Sequence, residues 1–288
     1  MPELFAASVT PFTAPSGAVD HTYIVRHLRW LEAHGVDGVA PCGTTGEGQS
    51  LSVAERMAIF DTVLQYRGRL RVFAGTGCAA LSDTITLSRY AVERGADAVM
   101  VLPPFYFKNL TDQGLLGYYR ALCDALPTGA KVVLYHIPPM SQIPIAPAVI
   151  EGLYQSHPDM VYGLKDSGGD PAYLAELTRR FPALRVYVGG APLLAQALRD
   201  GAAGGIFALS NAYPGEMRTV ITAHTTGGDI EAAQRRVTAL SNALKGYANP
   251  PAIKSLLTRL ADLPRAASRL PLVDLTDAQA DALWDAVR

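Results

Sequence analysis

With 288 residues, 49% of them hydrophobic, the chain can bury a large core and fits either one α/β barrel or two smaller domains. A formal net charge of -1, with no basic patch, no long run of like charge and no low-complexity segment, argues against a nucleic-acid partner. No apolar run reaches about 18 residues, and the opening MPELFAASVTPF has no positive leader before an apolar stretch, so neither a membrane span nor export is expected and the location is expected to be cytoplasmic. Cys42, Cys78 and Cys123 are odd in number, far apart and without a CxxC pair, which predicts reduced, mostly buried thiols and neither a disulfide framework nor a metal site.

Residues 4–12 alternate loosely as a first strand, stopped by Pro11 and a turn at 13–17, and Asp20 then caps a helix whose apolar face includes Ile24, Leu28 and Leu31. A short strand at 38–42 runs into GTTGEG at 43–48, and Ser52 with Glu55 forms a capping box for a helix reaching about Tyr66. The rhythm repeats: strands at 71–74, 98–102 and 131–135, with helices at 81–94 and 111–126 between them and another at 146–155. A sixth strand ends at Lys165, 171–181 is helical, 185–188 is the seventh strand, 192–200 is helical and 204–208 is the eighth strand. Eight short, wholly apolar strands alternating with helices predict an α/β fold with a parallel sheet covered on its outside, and eight strands close as a TIM (β/α)8 barrel. An open doubly wound sheet is the alternative. The last barrel helix falls at 214–224, and the remainder has helical patterns and no convincing strand. The expected division is therefore a barrel at 1–226 and a C-terminal helical extension at 227–288, with Pro250 and Pro251 starting one helix and Pro264 and Pro271 breaking the segment after it.

Active sites of such barrels gather at the C-terminal ends of the strands. That rule selects 43–47, Phe105 and Tyr106, Tyr135, Lys165, Gly189 and 206–210. Lysine is scarce in this chain, the others being Lys108, Lys131, Lys245 and Lys254, and Lys165 closes the apolar run VYGLK before the turn residues DSGGD. An ammonium among apolar neighbours loses hydration, which favours the free amine and makes it a nucleophile toward a ketone. An ordinary strand-end lysine would reach solvent or pair with Asp166. GTTGEG has neither dinucleotide-fingerprint nor P-loop spacing. Its backbone N–H groups and the hydroxyls of Thr44 and Thr45 can hold a carboxylate, or the loop can be a plain turn. Tyr135 is in strand phase with Val133, which points its phenol into the barrel mouth, or makes it a core aromatic. His136 points the other way and is read as a packing residue, Glu47 as a loop anchor and Cys42 as a buried thiol.

GTTGEG at 43–48, LPPFYF at 102–107, YHIP at 135–138, GLKDSGG at 163–169 and NPPAIKSLL at 249–257 stand in an order and spacing that resemble the dihydrodipicolinate synthase/N-acetylneuraminate lyase family across nearly the whole chain. The resemblance implies a class I aldolase barrel without cofactor or metal, in which Lys165 forms a Schiff base with the C2 carbonyl of pyruvate or another 2-oxo acid. It implies that Thr44 and Thr45 relay a proton and hold the pyruvate carboxylate, that Tyr135 is the general acid/base, and that Tyr106 is contributed by a neighbouring subunit. Gly46, Ser167, Gly189, Ile206 and Met140 fall at its substrate-binding positions. A homotetramer built as a dimer of dimers is the implied assembly, with the C-terminal helices serving mainly in assembly.

The chain departs from the pattern in two places. Met140 stands where the dihydrodipicolinate synthase branch has an arginine for the carboxylate of aspartate semialdehyde, and a thioether cannot make that contact. Gly190, Ala191 and Pro192 stand where the neuraminate lyase branch has acidic residues for sugar hydroxyls. The expected activity is therefore that of the 2-keto-3-deoxy sugar acid aldolases and dehydratases, acting on a 2-oxo acid and an aldehyde, with Gln142, Ser167 and Ser210 as polar contacts and Met140 and Phe207 as apolar ones. The alternatives are 4-hydroxy-tetrahydrodipicolinate synthase, and a non-catalytic 2-oxo acid-binding protein that keeps the barrel.

Overall fold

A computed structural model describes residues 1–14 and 17–288, so Pro15 and Ser16, in the turn expected at 13–17, lie outside the described residues. Eight parallel strands close into a barrel: β1 (Glu3–Ala6), β2 (Gly38–Val39), β3 (Arg71–Gly75), β4 (Ala98–Val101), β5 (Val132–His136), β6 (Val161–Asp166), β7 (Arg185–Val188) and β8 (Gly204–Phe207). Each pairs with the next, and β8 returns to β1 with Glu3 opposite Gly204 and Ala6 opposite Phe207. Closure leaves no sheet edge, and with helices outside and side chains packed inside, the strand middles are apolar on both faces. Leu4, Val72, Leu134, Leu164 and Val186 face the surrounding helices. Phe5, Phe73, Val133, Tyr187 and Ile206 fill the interior. Near the N-terminal end the Phe5 and Phe73 rings stack at 4.2 Å, and Tyr187 meets them edge-on at 5.8 and 5.7 Å. Position 38 must be glycine there, because a Cβ would lie 2.2 Å from the Phe5 ring.

The helices form where their caps and apolar faces predict. Asp20 accepts from the Tyr23 amide at 2.9 Å at the head of helix His21–Ala33, and the Ser52–Glu55 box opens Val53–Tyr66. Some bounds differ from expectation. The second strand stops at Val39, since Pro41 has no N–H to donate and Cys42 turns to φ 58°. The first strand stops at Ala6, and Phe12 instead makes single antiparallel bridges to Val19 and Ala267. The helix expected at 192–200 is split into a 3-10 turn, Ala191–Leu193, and a short helix, Leu194–Arg199. An unanticipated short helix, Pro138–Ser141, comes after β5.

Beyond the barrel lie the helices Ile230–Ala243, Asn249–Leu260 and Asp277–Val287, with the proline-containing stretch between the last two non-helical. They are bonded into the barrel. The buried Gln234 side chain accepts from the Ala195 amide at 2.8 Å and donates to the Ala191 carbonyl at 3.1 Å, and Lys254 and Arg269 reach the loop after β2. No helix among the described residues is long and apolar enough to cross a membrane.

Candidate active site

The pairing of β5 with β6 contains an irregularity at its start. Val132 lies opposite Val161, but Val133 lies opposite Gly163, so Tyr162 is an extra residue on β6. The slip by one places Lys165 opposite Tyr135; an unbroken register would set it against His136. Tyr135 and Lys165 therefore point together into the barrel, both buried, with the lysine Nζ 4.2 Å from the centroid of the Tyr135 ring. The Tyr135 hydroxyl lies 3.2 Å from Thr44 Oγ1. Asp166, the partner an ordinary strand-end lysine would use, faces the opposite side of the wall, where its Oδ1 accepts from the Gly168 amide at 2.9 Å.

Behind that wall a buried pair braces the two strand ends. His136 Nδ1 accepts from the Ile145 amide at 3.0 Å, its ring stacks on Tyr173 at 4.4 Å, and its Nε2 lies 3.9 Å from Asp166. Burial works on the two groups in opposite directions, raising the Asp166 carboxyl to about 6 and lowering the His136 imidazole to about 4. His136 is thus a packing residue, as its strand parity predicts, and it is uncharged at neutral pH. Cys42 is also inert, since burial pushes its thiol up to about 12.

The mouth of the barrel holds a cleft of about 430 Å³. Of the predicted residues it is lined by Lys165, Tyr135, Thr44, Thr45, Ser167, Gly189, Ile206 and Met140. Gly46 is not among them. It lies beneath the loop, where a Cβ would be 2.8 Å from the Ser8 carbonyl and where its own carbonyl accepts from Thr10 Oγ1 at 2.6 Å, so glycine is needed there for packing. Ser210 is fully buried away from the cleft, Gln142 turns outward at φ 58°, and Phe207 walls a neighbouring groove. Tyr106 does not line the cleft of its own chain. It is 73% exposed, edge-on to the equally exposed Phe107 at 5.4 Å, on a loop that Lys108 pins to the Ser141 carbonyl at 2.9 Å. The sequence reading missed Ile137, Asn249 and Leu272 as lining residues.

It also missed what holds the threonine loop. Glu47 has a left-handed backbone, φ 51°, and its side chain is buried in an ion pair with Lys254 of helix Asn249–Leu260. The second Glu47 oxygen accepts from the Arg269 amide at 3.0 Å, and Lys254 also donates to the Ala267 carbonyl at 2.7 Å. The Arg269 guanidinium continues the chain of contacts to Glu55, whose carboxyl it holds down at about 2, and to the Ser50 carbonyl at 2.9 Å. Glu47 is thus a loop anchor, and its anchor is the C-terminal segment. The signal was present in the lysine of NPPAIK, which an amphipathic helix reading places without a partner. Removing one member leaves a buried charge uncompensated, so Lys254→Met should cost about 3–5 kcal/mol. In a urea-denaturation cycle with Glu47→Gln, the double variant should be less destabilised than the sum of the singles; additivity within about 0.5 kcal/mol would show the pair is not coupled.

A model of the dihydrodipicolinate synthetase family matches residues 1–288. A curated relative from Chloroflexus aurantiacus, named an uncharacterized DapA-like lyase, is 48% identical over 280 residues, covering 97% of this chain and 94% of its own. The 4-hydroxy-tetrahydrodipicolinate synthase of Sorangium cellulosum is 35% identical, covering 99% of this chain and 94% of its own. Among solved structures, KD(P)GA from T. tenax superposes with a TM-score of 0.90 at 26% identity, covering 99% of this chain and 97% of that one. The chain belongs to the dihydrodipicolinate synthetase family, a family of class I lyases.

Proposed function

We propose that this lyase forms a Schiff base between Lys165 and pyruvate or a larger 2-oxo acid, and that it is a 2-keto-3-deoxy sugar acid aldolase or dehydratase. One observation carries the reading: the buried Lys165 amine lies over the Tyr135 ring, whose hydroxyl is 3.2 Å from Thr44 Oγ1, in a cleft with no carboxylate side chain in its lining. The free amine attacks C2, the carbinolamine loses water, and the protonated imine draws electrons toward C3. Thr44 and Thr45 hold the carboxylate. In the cleavage direction Tyr135 takes the proton of the C4 hydroxyl as C3–C4 breaks, the aldehyde departs, and the enamine left on Lys165 is protonated at C3 and hydrolysed to pyruvate. Thr44 passes the Tyr135 proton outward to Tyr106 of a neighbouring subunit, which accounts for an aromatic side chain so exposed on its own chain. Dehydration begins from the same imine, by loss of a C3 proton followed by departure of a hydroxyl.

Met140 and Gly190 line the acceptor side, and neither offers a charge. That argues against 4-hydroxy-tetrahydrodipicolinate synthase, the name several relatives carry. The carboxylate of aspartate semialdehyde would meet a thioether where that branch supplies a guanidinium.

Incubation with pyruvate and borohydride should give one covalent adduct per chain, mapped by peptide mass to Lys165 and absent from Lys165→Ala. An adduct on Lys131 or Lys254 would move the site, and none at all would remove the mechanism. Tyr135→Phe should keep the fold and lower turnover of 2-keto-3-deoxy acids by roughly 10²–10⁴, the usual contribution of a positioned acid or base; turnover near that of the unaltered protein would exclude Tyr135 as the proton carrier. Aspartate semialdehyde should be a poor acceptor, at a cost of about 2–5 kcal/mol in transition-state binding. Efficient condensation with pyruvate would restore the synthase reading. Tight 2-oxo acid binding with no turnover of any substrate would favour a binding protein.

A further inference from the structure

Ile145 is wholly buried in the layer outside the strands, and side chains take both of its backbone polar groups. Its N–H donates to His136 Nδ1 at 3.0 Å, and its carbonyl accepts from the Tyr173 hydroxyl at 2.6 Å. The two gripping rings stack on each other at 4.4 Å. A ring nitrogen that accepts carries no proton, so His136 is the neutral tautomer with its hydrogen on Nε2. That edge is closed in as well, since a Cβ at Gly168 would come within 3.0 Å of Nε2. A turn of the ring would leave the Ile145 amide buried and unpaired.

The grip reaches the cleft by two short routes. Tyr135 and His136 are neighbours on β5, one side chain inside the wall and the other outside, so a rotation of the strand end that freed the imidazole would swing the phenol away from Thr44. The segment from there to Ile145 is braced on itself: the Ser141 amide donates to the Ile137 carbonyl at 2.9 Å, and Ser141 Oγ accepts from the Ile143 amide at 3.2 Å. A displacement at Ile145 is thus passed back to Ile137, which follows directly on His136 and itself lines the cleft.

We propose that His136 is a positioning residue for Tyr135. By holding the Ile145 backbone behind the barrel wall, its ring fixes the end of β5, and the phenol in front stays aimed at Thr44 and Lys165. His136 does not line the cleft and takes no part in the chemistry. The proposal rests on the Schiff-base reading above and deepens it, because a proton carrier displaced by about 1 Å can lose roughly 10² in rate.

The probe is pyruvate alone, with two readouts. One is the concentration giving half-maximal borohydride trapping on Lys165; the other is the rate at which the C3 hydrogens exchange with deuterated water, which requires proton transfer from the imine and back to the enamine. His136→Phe keeps a ring against Tyr173 and removes the acceptor. It should slow exchange by about 10- to 100-fold with half-saturation unchanged. His136→Asn, whose Oδ1 branches from Cγ as Nδ1 does and can accept from the same amide, should recover most of the rate. Tyr173→Phe, which loses only the hydroxyl on the Ile145 carbonyl, should also slow exchange, and it carries the comparison where His136→Phe does not fold. In Tyr135→Phe, already slowed, neither change should bring a further loss, since the effect passes through Tyr135. Equal exchange in His136→Phe and His136→Asn, unchanged exchange in Tyr173→Phe, or losses that multiply when combined with Tyr135→Phe would overturn the positioning role while leaving the imine intact. No trapping of pyruvate, or exchange that Tyr135→Phe does not slow, would overturn the Schiff-base or proton-carrier reading, and the positioning role with it.

Discussion

The register between β5 and β6 is the constraint on which the site depends. In a strand, neighbouring side chains face opposite sides, so a slip of one residue exchanges the inside set for the outside set. The extra residue Tyr162 makes that slip once, at the start of β6, and the closed barrel then leaves no freedom to undo it. Tyr162 and Gly163 both turn inward. Glycine is required at 163 because a Cβ there would lie 2.5 Å from the Arg185 carbonyl, while the Tyr162 hydroxyl accepts from Arg71 at 2.8 Å. From that point Lys165 faces Tyr135 across one ladder step, and Asp166 faces His136 on the outside. Lys165 and its acidic neighbour in sequence are thereby kept on opposite sides of the barrel wall, so the two do not pair.

The second requirement is a rigid support for the loop that holds Thr44 and Thr45. That loop contains two non-glycine residues, Cys42 and Glu47, with positive φ, a conformation that persists only where the surroundings enforce it. Arg56 supplies one restraint, donating to the Gly77 carbonyl at 2.9 Å and to the Gly48 carbonyl. The Glu47–Lys254 pair supplies the other. Burial holds Lys254 below the usual lysine range, and two acceptors, Glu47 and the Ala267 carbonyl, compensate the desolvated ammonium. A buried pair of this kind is weak evidence for net stability, but it fixes geometry, since either partner displaced leaves a buried charge. The C-terminal helices accordingly have a task inside the chain that produced them, in addition to any role in assembly.

Charge distribution then narrows the chemistry. A cleft with Lys165 and no carboxylate favours an anionic substrate and an imine, and disfavours general-base chemistry by an acidic side chain, for which no group is present in the lining. Met140, Ile206 and Leu272 give the same opening an apolar side.

Much of this was legible in the chain itself. Eight mostly apolar strands between helices specify a parallel barrel because a sheet covered on both faces is what tolerates apolar residues at successive strand positions, and the Asp20 and Ser52 caps fix helix starts through local hydrogen bonds. The parity of Val133, Tyr135 and His136 correctly separated the inward phenol from the outward imidazole, because alternation within one strand is a local property. Five short motifs in register carried the family, and the expectation at Lys165 rests on them. What the sequence could not supply were relations between segments far apart. The β6 bulge depends on how two strands pair, the Glu47–Lys254 pair joins residues 207 positions apart, and Gly46 and Ser210 lie away from the cleft because of what packs against them. Local sequence sets which way a side chain points along its own element, and only the closed, packed chain decides what it meets there.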